Sequence, residues 1–311
     1  MLHREAEDFF DSRREKVRKG FECMKSDKRK LTIKIPDFEP KHIFECGQCF
    51  RWNREADGSY TGVAHGKVLN VLKNGEKILF NNIGEGDFEA VWENYFDLKR
   101  NYFEIERQLS EIDETMEKAV SFGHGMRILN QDPWETLVSF IISANNGVAR
   151  IKGIVENLSE NYGIEIGEYR GKMRYAFPSA ERLASLDASE IRACGAGYRD
   201  EYILKAAMAV SEKADWLGSV CKMDTRDAKK ELVGLSGIGP KVSDCILLFS
   251  MEKMDTFPVD VWVKRTMEHF YLHKKSSPEE ISAFAEDYFG GLKGFAQQYL
   301  FHYARMNNIG K

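Results

Sequence analysis

The stretch Leu235-Ser236-Gly237-Ile238-Gly239-Pro240-Lys241-Val242-Ser243-Asp244-Cys245, with the Pro258-Val259-Asp260 that follows it, decides how the chain is read. Leu-x-Gly-x-Gly between two helical patterns is a tight hairpin, because two glycines permit backbone angles that other residues avoid. With no side chains in the way, consecutive N–H groups can point at an anion. The helix that starts near Lys241 aims its positive end the same way. Such a loop can hold a DNA phosphate without reading sequence. Asp260 stands nineteen residues after Lys241, follows a Pro-Val pair and precedes an apolar run, which is the pattern of a helix cap. An amine and a carboxylate beside a phosphate-binding hairpin suggest chemistry on a nucleotide. The plainer alternative is a DNA-binding hairpin with an ordinary surface lysine, and Gly-x-Gly alone does not separate the two.

Upstream of the hairpin the periodicity divides the chain. From Leu31 to Phe80 apolar residues alternate, and Asp57-Gly58, His65-Gly66 and Asn74-Gly75 punctuate runs rich in Val, Leu, Ile, Phe and Tyr. These are hairpin signals, so an antiparallel meander is expected, with Gly47-Gln48 turning the chain before Phe50-Arg51-Trp52. From Phe88 onward helical spacing takes over almost to the end. Asp132-Pro133-Trp134 opens one helix, with Asp as cap and Pro in the first turn. Another runs from about Val148 to Tyr162, and further helices fit 179–186, 188–193, 199–213, 225–234, 241–251, 260–272 and 278–289, with a last one from about Gly294. The expected fold is α+β: a charged extension over 1–30, a β-rich domain with flanking helices over 31–125, and an all-α region over 126–311.

Composition bounds the function. Across 311 residues the hydrophobic share of 43% supports a proper core, and the net charge of −4 argues against a non-specific nucleic-acid coat protein. A local basic face on a DNA enzyme remains possible, because acidic runs at 104–117 and 276–290 read as solvated helix faces and pull the average down. Residues 1–30 carry ten Lys/Arg and seven Asp/Glu, which fits a surface helix or a disordered arm. The six cysteines are scattered at 23, 46, 49, 194, 221 and 245. Cys46 and Cys49 have metal-like spacing but no complementary second pair, so both read as free thiols. No leader-like or long apolar run is present; the expectation is a cytoplasmic protein, nucleoid-associated if bacterial.

The hairpin string resembles the signature of helix-hairpin-helix base-excision DNA glycosylases. The match sharpens at Gly47-Gln48-Cys49-Phe50-Arg51-Trp52, Gln131-Asp132-Pro133, Ser143-Ala144-Asn145-Asn146, Gly197-Tyr198-Arg199, Pro258-Val259-Asp260, and Ala296-Gln297 with Phe301. Together, in order over about residues 31–305, these resemble the 8-oxoguanine DNA glycosylase/AP lyase family. The resemblance implies helix-hairpin-helix domains behind the β-sheet domain. It also implies a monomer that acts on double-stranded DNA containing 8-oxoguanine, with no cofactor, no metal and no membrane.

Residue by residue, the resemblance makes Lys241 the nucleophile at the sugar C1′ and Asp260 its electrostatic partner. An amine attacks only when neutral, a form that a buried site favours. The Schiff base it forms permits strand cleavage by β-elimination. Gly47 takes the role of a carbonyl that accepts the N7–H present only on the oxidised base. Cys245 and Phe301 sandwich that base, and Gln297 meets its pairing edge. Asn145, Arg150 and Arg199 hold the orphaned cytosine, and Tyr198 fills the vacated stack. Leu235, Gly237, Gly239 and Lys241 form the phosphate hairpin. Viewed alone, Cys245 is a core residue, Gln297 an ordinary surface glutamine, and the two arginines phosphate or solvent contacts. One position departs from the animal and fungal members: Trp262 stands where they carry a phosphate-binding histidine, a change compatible with a bacterial branch. An alkylated-base glycosylase lacks the hairpin lysine. The absence of a cysteine cluster and the β-rich start oppose an endonuclease III-like or adenine glycosylase. A non-catalytic DNA-binding scaffold would not need both Lys241 and Asp260.

Overall fold

A computed structural model describes residues 29–213 and 215–309. Of the charged arm, residues 1–28, with Cys23, lie outside the described residues, and its last residue, Lys30, already belongs to the first strand.

The first domain is built on a five-stranded antiparallel sheet. Its strands are β1 Lys30–Lys34, β2 Trp52–Arg54, β3 Tyr60–Ala64, β4 Lys67–Asn74 and β5 Lys77–Asn81, in spatial order β1-β5-β4-β3-β2. Strands β2 to β5 form the expected meander. The β3–β4 loop is His65-Gly66, with φ of 48° and 68°, the paired left-handed angles that match the twist of a two-residue hairpin. β1 closes the far edge with Leu31 opposite Phe80. A short helix, α1 Pro40–Glu45, interrupts the strands, and its Phe44 stacks flat on Trp52 at 4.1 Å between ring centroids.

Helices fill most of the rest. They include α2 Tyr102–Ser110, α3 Glu114–Phe122, α4 Pro133–Ser143, α5 Val148–Tyr162, α6 Asp200–Ser211, α7 Thr225–Val233, α8 Pro240–Ser250, α9 Val261–Met267, α10 Pro278–Phe289 and α11 Lys293–Asn307. Asp132 caps α4 by accepting the Glu135 amide at 2.8 Å, with Pro133 at the first position, as its sequence predicts. The region is not wholly helical. β6 Glu165–Tyr169 pairs with β7 Lys172–Tyr175 across Arg170-Gly171, both at positive φ. These strands are short and largely exposed, so they carry little of the apolar alternation that reveals a strand. No helix among the described residues is long and apolar enough to cross a membrane.

Two hydrophobic cores result. One lies under the sheet and contains Phe38, Phe44, Trp52, Phe80, Trp92 and Phe96. The other runs through the helices and takes in Cys46, Phe50, Leu137, Phe140, Cys245 and Phe249. The chain passes between them over residues 46–52, so Gly47 sits on the seam.

Gly62 lies opposite Trp52 in the β2–β3 pair, and a Cβ there would come within 2.2 Å of the indole ring. Gly62→Ala must therefore displace a buried tryptophan, and a loss of about 1–3 kcal/mol is expected in urea denaturation. A change within about 0.5 kcal/mol, the range of an innocuous surface substitution, would refute this account of the β2–β3 contact.

Candidate active site

Two helix N-termini supply the charged pair. Gly239, in extended conformation, is the cap residue of α8, and Pro240 takes the first helical position, where its missing N–H costs nothing. Lys241 follows. Gly237 stands at φ +86°, a left-handed angle that glycine adopts freely. Among the described residues the amides of Ser236, Gly237 and Gly239 have no internal acceptor, which leaves them for an external one. The Leu235 side chain packs inward on the helical core, but its amide already donates to the Leu232 carbonyl at 3.0 Å, so contrary to its place in the expected phosphate hairpin it supplies support and no donor.

Lys241 is half-buried rather than buried, with Nζ 5.4 Å from the centre of the Phe140 ring. One helical turn later Cys245 is buried, and burial pushes its thiol up to about 11 while a hydrogen bond and the charge of Lys241 pull the other way. Asp260 caps α9, its Oδ1 accepting the Val263 amide at 2.7 Å. Burial raises this carboxyl above its ordinary value. The Val263 amide, the charge of Lys241, the Trp262 amide and the charge of Arg305 all act in the opposite direction. Lys241 and Asp260 are thus coupled through space without a direct ion pair. Trp262 itself lies beneath Arg265, whose guanidinium is 5.7 Å from its ring.

A second group converges on Gly47, at φ +86°. A Cβ there would meet the Phe301 ring at 3.2 Å and Arg305 Nη1 at 3.1 Å, so the bare backbone is what lets these side chains approach. Gln297 lies one turn before Phe301 on α11 and is buried, contrary to the surface position its type suggests. Its Oε1 has no hydrogen-bond partner among the described residues. An unsatisfied buried acceptor costs about 1–3 kcal/mol, and such groups call for a donor that arrives from elsewhere. The Gly47 loop is anchored by its neighbours. Gln48 donates to the Ile43 and Arg127 carbonyls at 2.9 and 2.8 Å and accepts the Leu129 amide at 2.9 Å, while Gln131 Nε2 donates to the Gln48 carbonyl at 2.8 Å.

The third group lies at the turn after α4. Asn145 is exposed at φ +53°, and Arg150 is exposed on the first turn of α5. Arg199 is buried. Its Nε donates to the Ala144 carbonyl at 3.0 Å, and Nη2 reaches the same oxygen. Its guanidinium stacks 4.3 Å from the centre of the exposed Tyr198 ring. Arg199 therefore ties the Asn145 turn to Tyr198, whereas Arg150 makes no hydrogen bond or ion pair among the described residues.

Sequence reading did not find Arg305, Phe140 or the anchoring role of Gln48. The i, i+4, i+8 spacing of Gln297, Phe301 and Arg305 could have exposed the first, since it puts all three on one helix face. Phe140 is marked only by its apolar register. Cys46 and Cys49 are free, and burial raises both thiols.

Asparagine caps a helix as well as aspartate does, so Asp260→Asn removes the charge and keeps the cap. The folded carboxyl binds its proton more tightly than the unfolded chain, so ionised Asp260 costs stability above its folded pKa. That cost disappears as pH falls to the unfolded value of 3.8. Asp260→Asn is expected to melt above the wild type at pH 7 and to lose the advantage as pH approaches 4. A thermal-melting series across this range checks the sign, and a variant that melts lower at pH 7 would contradict it.

Comparison with known proteins supplies the lineage. Residues 30–137 match the 8-oxoguanine DNA glycosylase N-terminal domain, and residues 138–290 match the HhH-GPD superfamily of base-excision DNA repair proteins. A probable N-glycosylase/DNA lyase from Methanothermobacter thermautotrophicus is 32% identical over 217 residues, 63% of this chain and 69% of that protein. The N-glycosylase/DNA lyase of Saccharomyces cerevisiae is 32% identical over 265 residues, 78% of this chain and 70% of its own length. Among solved structures, an 8-oxoguanine glycosylase/lyase from Clostridium acetobutylicum, in complex with double-stranded DNA containing cytosine opposite 8-oxoguanine, superposes with a TM-score of 0.89 at 44% identity, over 93% of this chain and all of that one. A glycine-built hairpin, a lysine and a capping aspartate on adjacent helix ends, and kinship along most of the chain lead to one conclusion: this is a DNA-repair enzyme of the 8-oxoguanine N-glycosylase/DNA lyase family.

Proposed function

We propose that the chain excises 8-oxoguanine from duplex DNA, preferentially opposite cytosine, and then cleaves the strand. The observation that carries this reading is the electrostatic coupling of Lys241 to Asp260 on adjacent helix N-termini, beside the pocket wall of Gly47, Gln297 and Phe301. The free amides of the hairpin grip a phosphate, and the target nucleotide leaves the stack to reach the site. Neutral Lys241 attacks C1′ as the C1′–N9 bond breaks and its electron pair departs with the base. Asp260 offsets the positive charge that grows on the sugar. The nitrogen then gives up a proton and the C1′–O4′ bond breaks, opening the sugar to a C4′ hydroxyl and leaving the Schiff base, and β-elimination severs the 3′ side. No step calls on a metal or cofactor.

Recognition rests on single hydrogen bonds. The Gly47 carbonyl accepts the N7–H of the oxidised base, a contact unavailable to guanine. Gln297 meets the pairing edge, and its orphaned Oε1 suits an incoming N–H donor. Each such bond in a dry pocket discriminates by about 1–3 kcal/mol. On the other strand Arg150 and Asn145 offer donors to cytosine, with Arg199 holding the wall that carries Tyr198. The enzyme works as a monomer and, in a bacterial cell, in the cytoplasm at the nucleoid.

Borohydride is expected to trap a covalent adduct between the wild type and lesion-bearing duplex, and Lys241→Gln should abolish it. Full trapping by the variant would remove Lys241 from its role. In a cleavage panel with 8-oxoguanine opposite each of the four bases, the wild type should be fastest opposite cytosine. Arg150→Ala should slow that pairing most, by roughly tenfold or more for one lost charged hydrogen bond in an occluded site. An equal slowing of all four pairings would make Arg150 a phosphate clamp instead.

A further inference from the structure

Tyr202, on the first turn of α6, has no part in the chemistry above, yet it touches two of its components. A Cβ built on Gly237 would lie 2.7 Å from both Cβ and Cγ of Tyr202, so the tyrosine stem rests directly on the hairpin backbone. On its other side its ring meets that of Tyr198 edge-on, at 6.4 Å between centroids and 88° between planes. Core packing does not account for it, since Tyr202 is 37% exposed. Its hydroxyl has no hydrogen-bond partner among the described residues, so it belongs to no polar network there.

These contacts form one continuous path. Gly237 carries Tyr202, Tyr202 abuts Tyr198, Tyr198 is stacked by Arg199, and Arg199 is tied to the Ala144 carbonyl beside Asn145. The Tyr198 ring is thus 59% exposed and still bracketed on two sides. We infer that Tyr202 is a positioning residue that fixes the Tyr198 ring to the phosphate-gripping hairpin, so that the base step opened by Tyr198 lies at a set distance from the gripped phosphate. This rests on the reading of Tyr198 as the side chain that enters the vacated stack. Gly237 then has a second reason to be glycine: a side chain there would push Tyr202 off the hairpin and break the path. An edge-on aromatic pair biases a population by roughly three- to tenfold, which sets the size of the effect.

The test is a double-mutant cycle read by 2-aminopurine fluorescence in a duplex where the probe adjoins a tetrahydrofuran abasic analogue, together with single-turnover base release from 8-oxoguanine duplex. Tyr202→Ala is expected to slow both unstacking and base release three- to tenfold, while affinity for undamaged duplex shifts less than twofold. Tyr202→Phe, which keeps the ring, should behave as the wild type. Tyr202→Leu keeps bulk against Gly237 without the aromatic edge; it should melt with the wild type and unstack like the alanine variant, which separates positioning from folding. Tyr198→Ala combined with Tyr202→Ala should be no slower than Tyr198→Ala alone, because Tyr202 acts through Tyr198. Additive losses in the double variant, or a Phe variant as slow as the Ala variant, would overturn the inference in favour of an independent DNA contact. If Tyr198→Ala alone leaves unstacking intact, the reading of Tyr198 itself fails, a result distinct from a failure confined to Tyr202.

Discussion

Gln48 is the constraint on which the rest depends. It is wholly buried at the seam of two cores, and its amide is spent at both ends on backbone groups from separate segments: Ile43 in α1, and Arg127 and Leu129 in the strand-like run before α4. A buried amide satisfied this fully rigidifies what it joins, while the same amide with one partner missing would cost about 1–3 kcal/mol. Arg127 extends the bond network by donating to the Asp37 and Asp97 carbonyls and stacking on Tyr102. The sheet domain is thereby registered to the helices through hydrogen bonds as well as through apolar contact. Gly47, one residue away, inherits that rigidity. If the Gly47 carbonyl discriminates as proposed, it must be held within a fraction of an ångström, and the seam between the two cores supplies that hold.

Glycine sets the other two close approaches. At Gly47 a bare backbone admits Phe301 and Arg305, and at Gly237 it admits Tyr202. In both places the close approach of a neighbouring side chain depends on a Cβ that is absent. Both glycines also sit at positive φ, so the conformational and the spatial demand coincide. Substitution there combines the two costs.

Much of this was legible before any coordinates. His65-Gly66 and Asn74-Gly75 announce their turns because two-residue hairpins need left-handed angles that few residues supply. Asp132-Pro133 announces α4 because a cap and a proline have only one good place on a helix. The hairpin, Lys241 and Asp260 could be named for similar reasons, since each is fixed by backbone chemistry local to it. What stayed hidden is what depends on distant partners. The β6–β7 ribbon has polar, exposed strands and an Arg-Gly turn, so nothing local marks it out. The burial of Gln297 and the donors Arg199 spends on Ala144 arise from contacts that sequence spacing does not encode. Residue type suggested a surface glutamine and a free arginine; the fold buries both, makes Arg199 a strut, and leaves Gln297 Oε1 without a partner among the described residues.

The burial that shields Cys245 has a consequence for durability. Oxidants such as hydrogen peroxide attack thiolates far faster than thiols. With burial pushing its thiol up to about 11, Cys245 is held as the thiol at neutral pH. A sulfur one helical turn from Lys241 is therefore chemically quiet under the very conditions that oxidise DNA bases. Sulfinic acid at that position would add an anion and two oxygens to the apolar face of α8, beside the amine. The packing that buries Cys245 thus also shields its sulfur from oxidation.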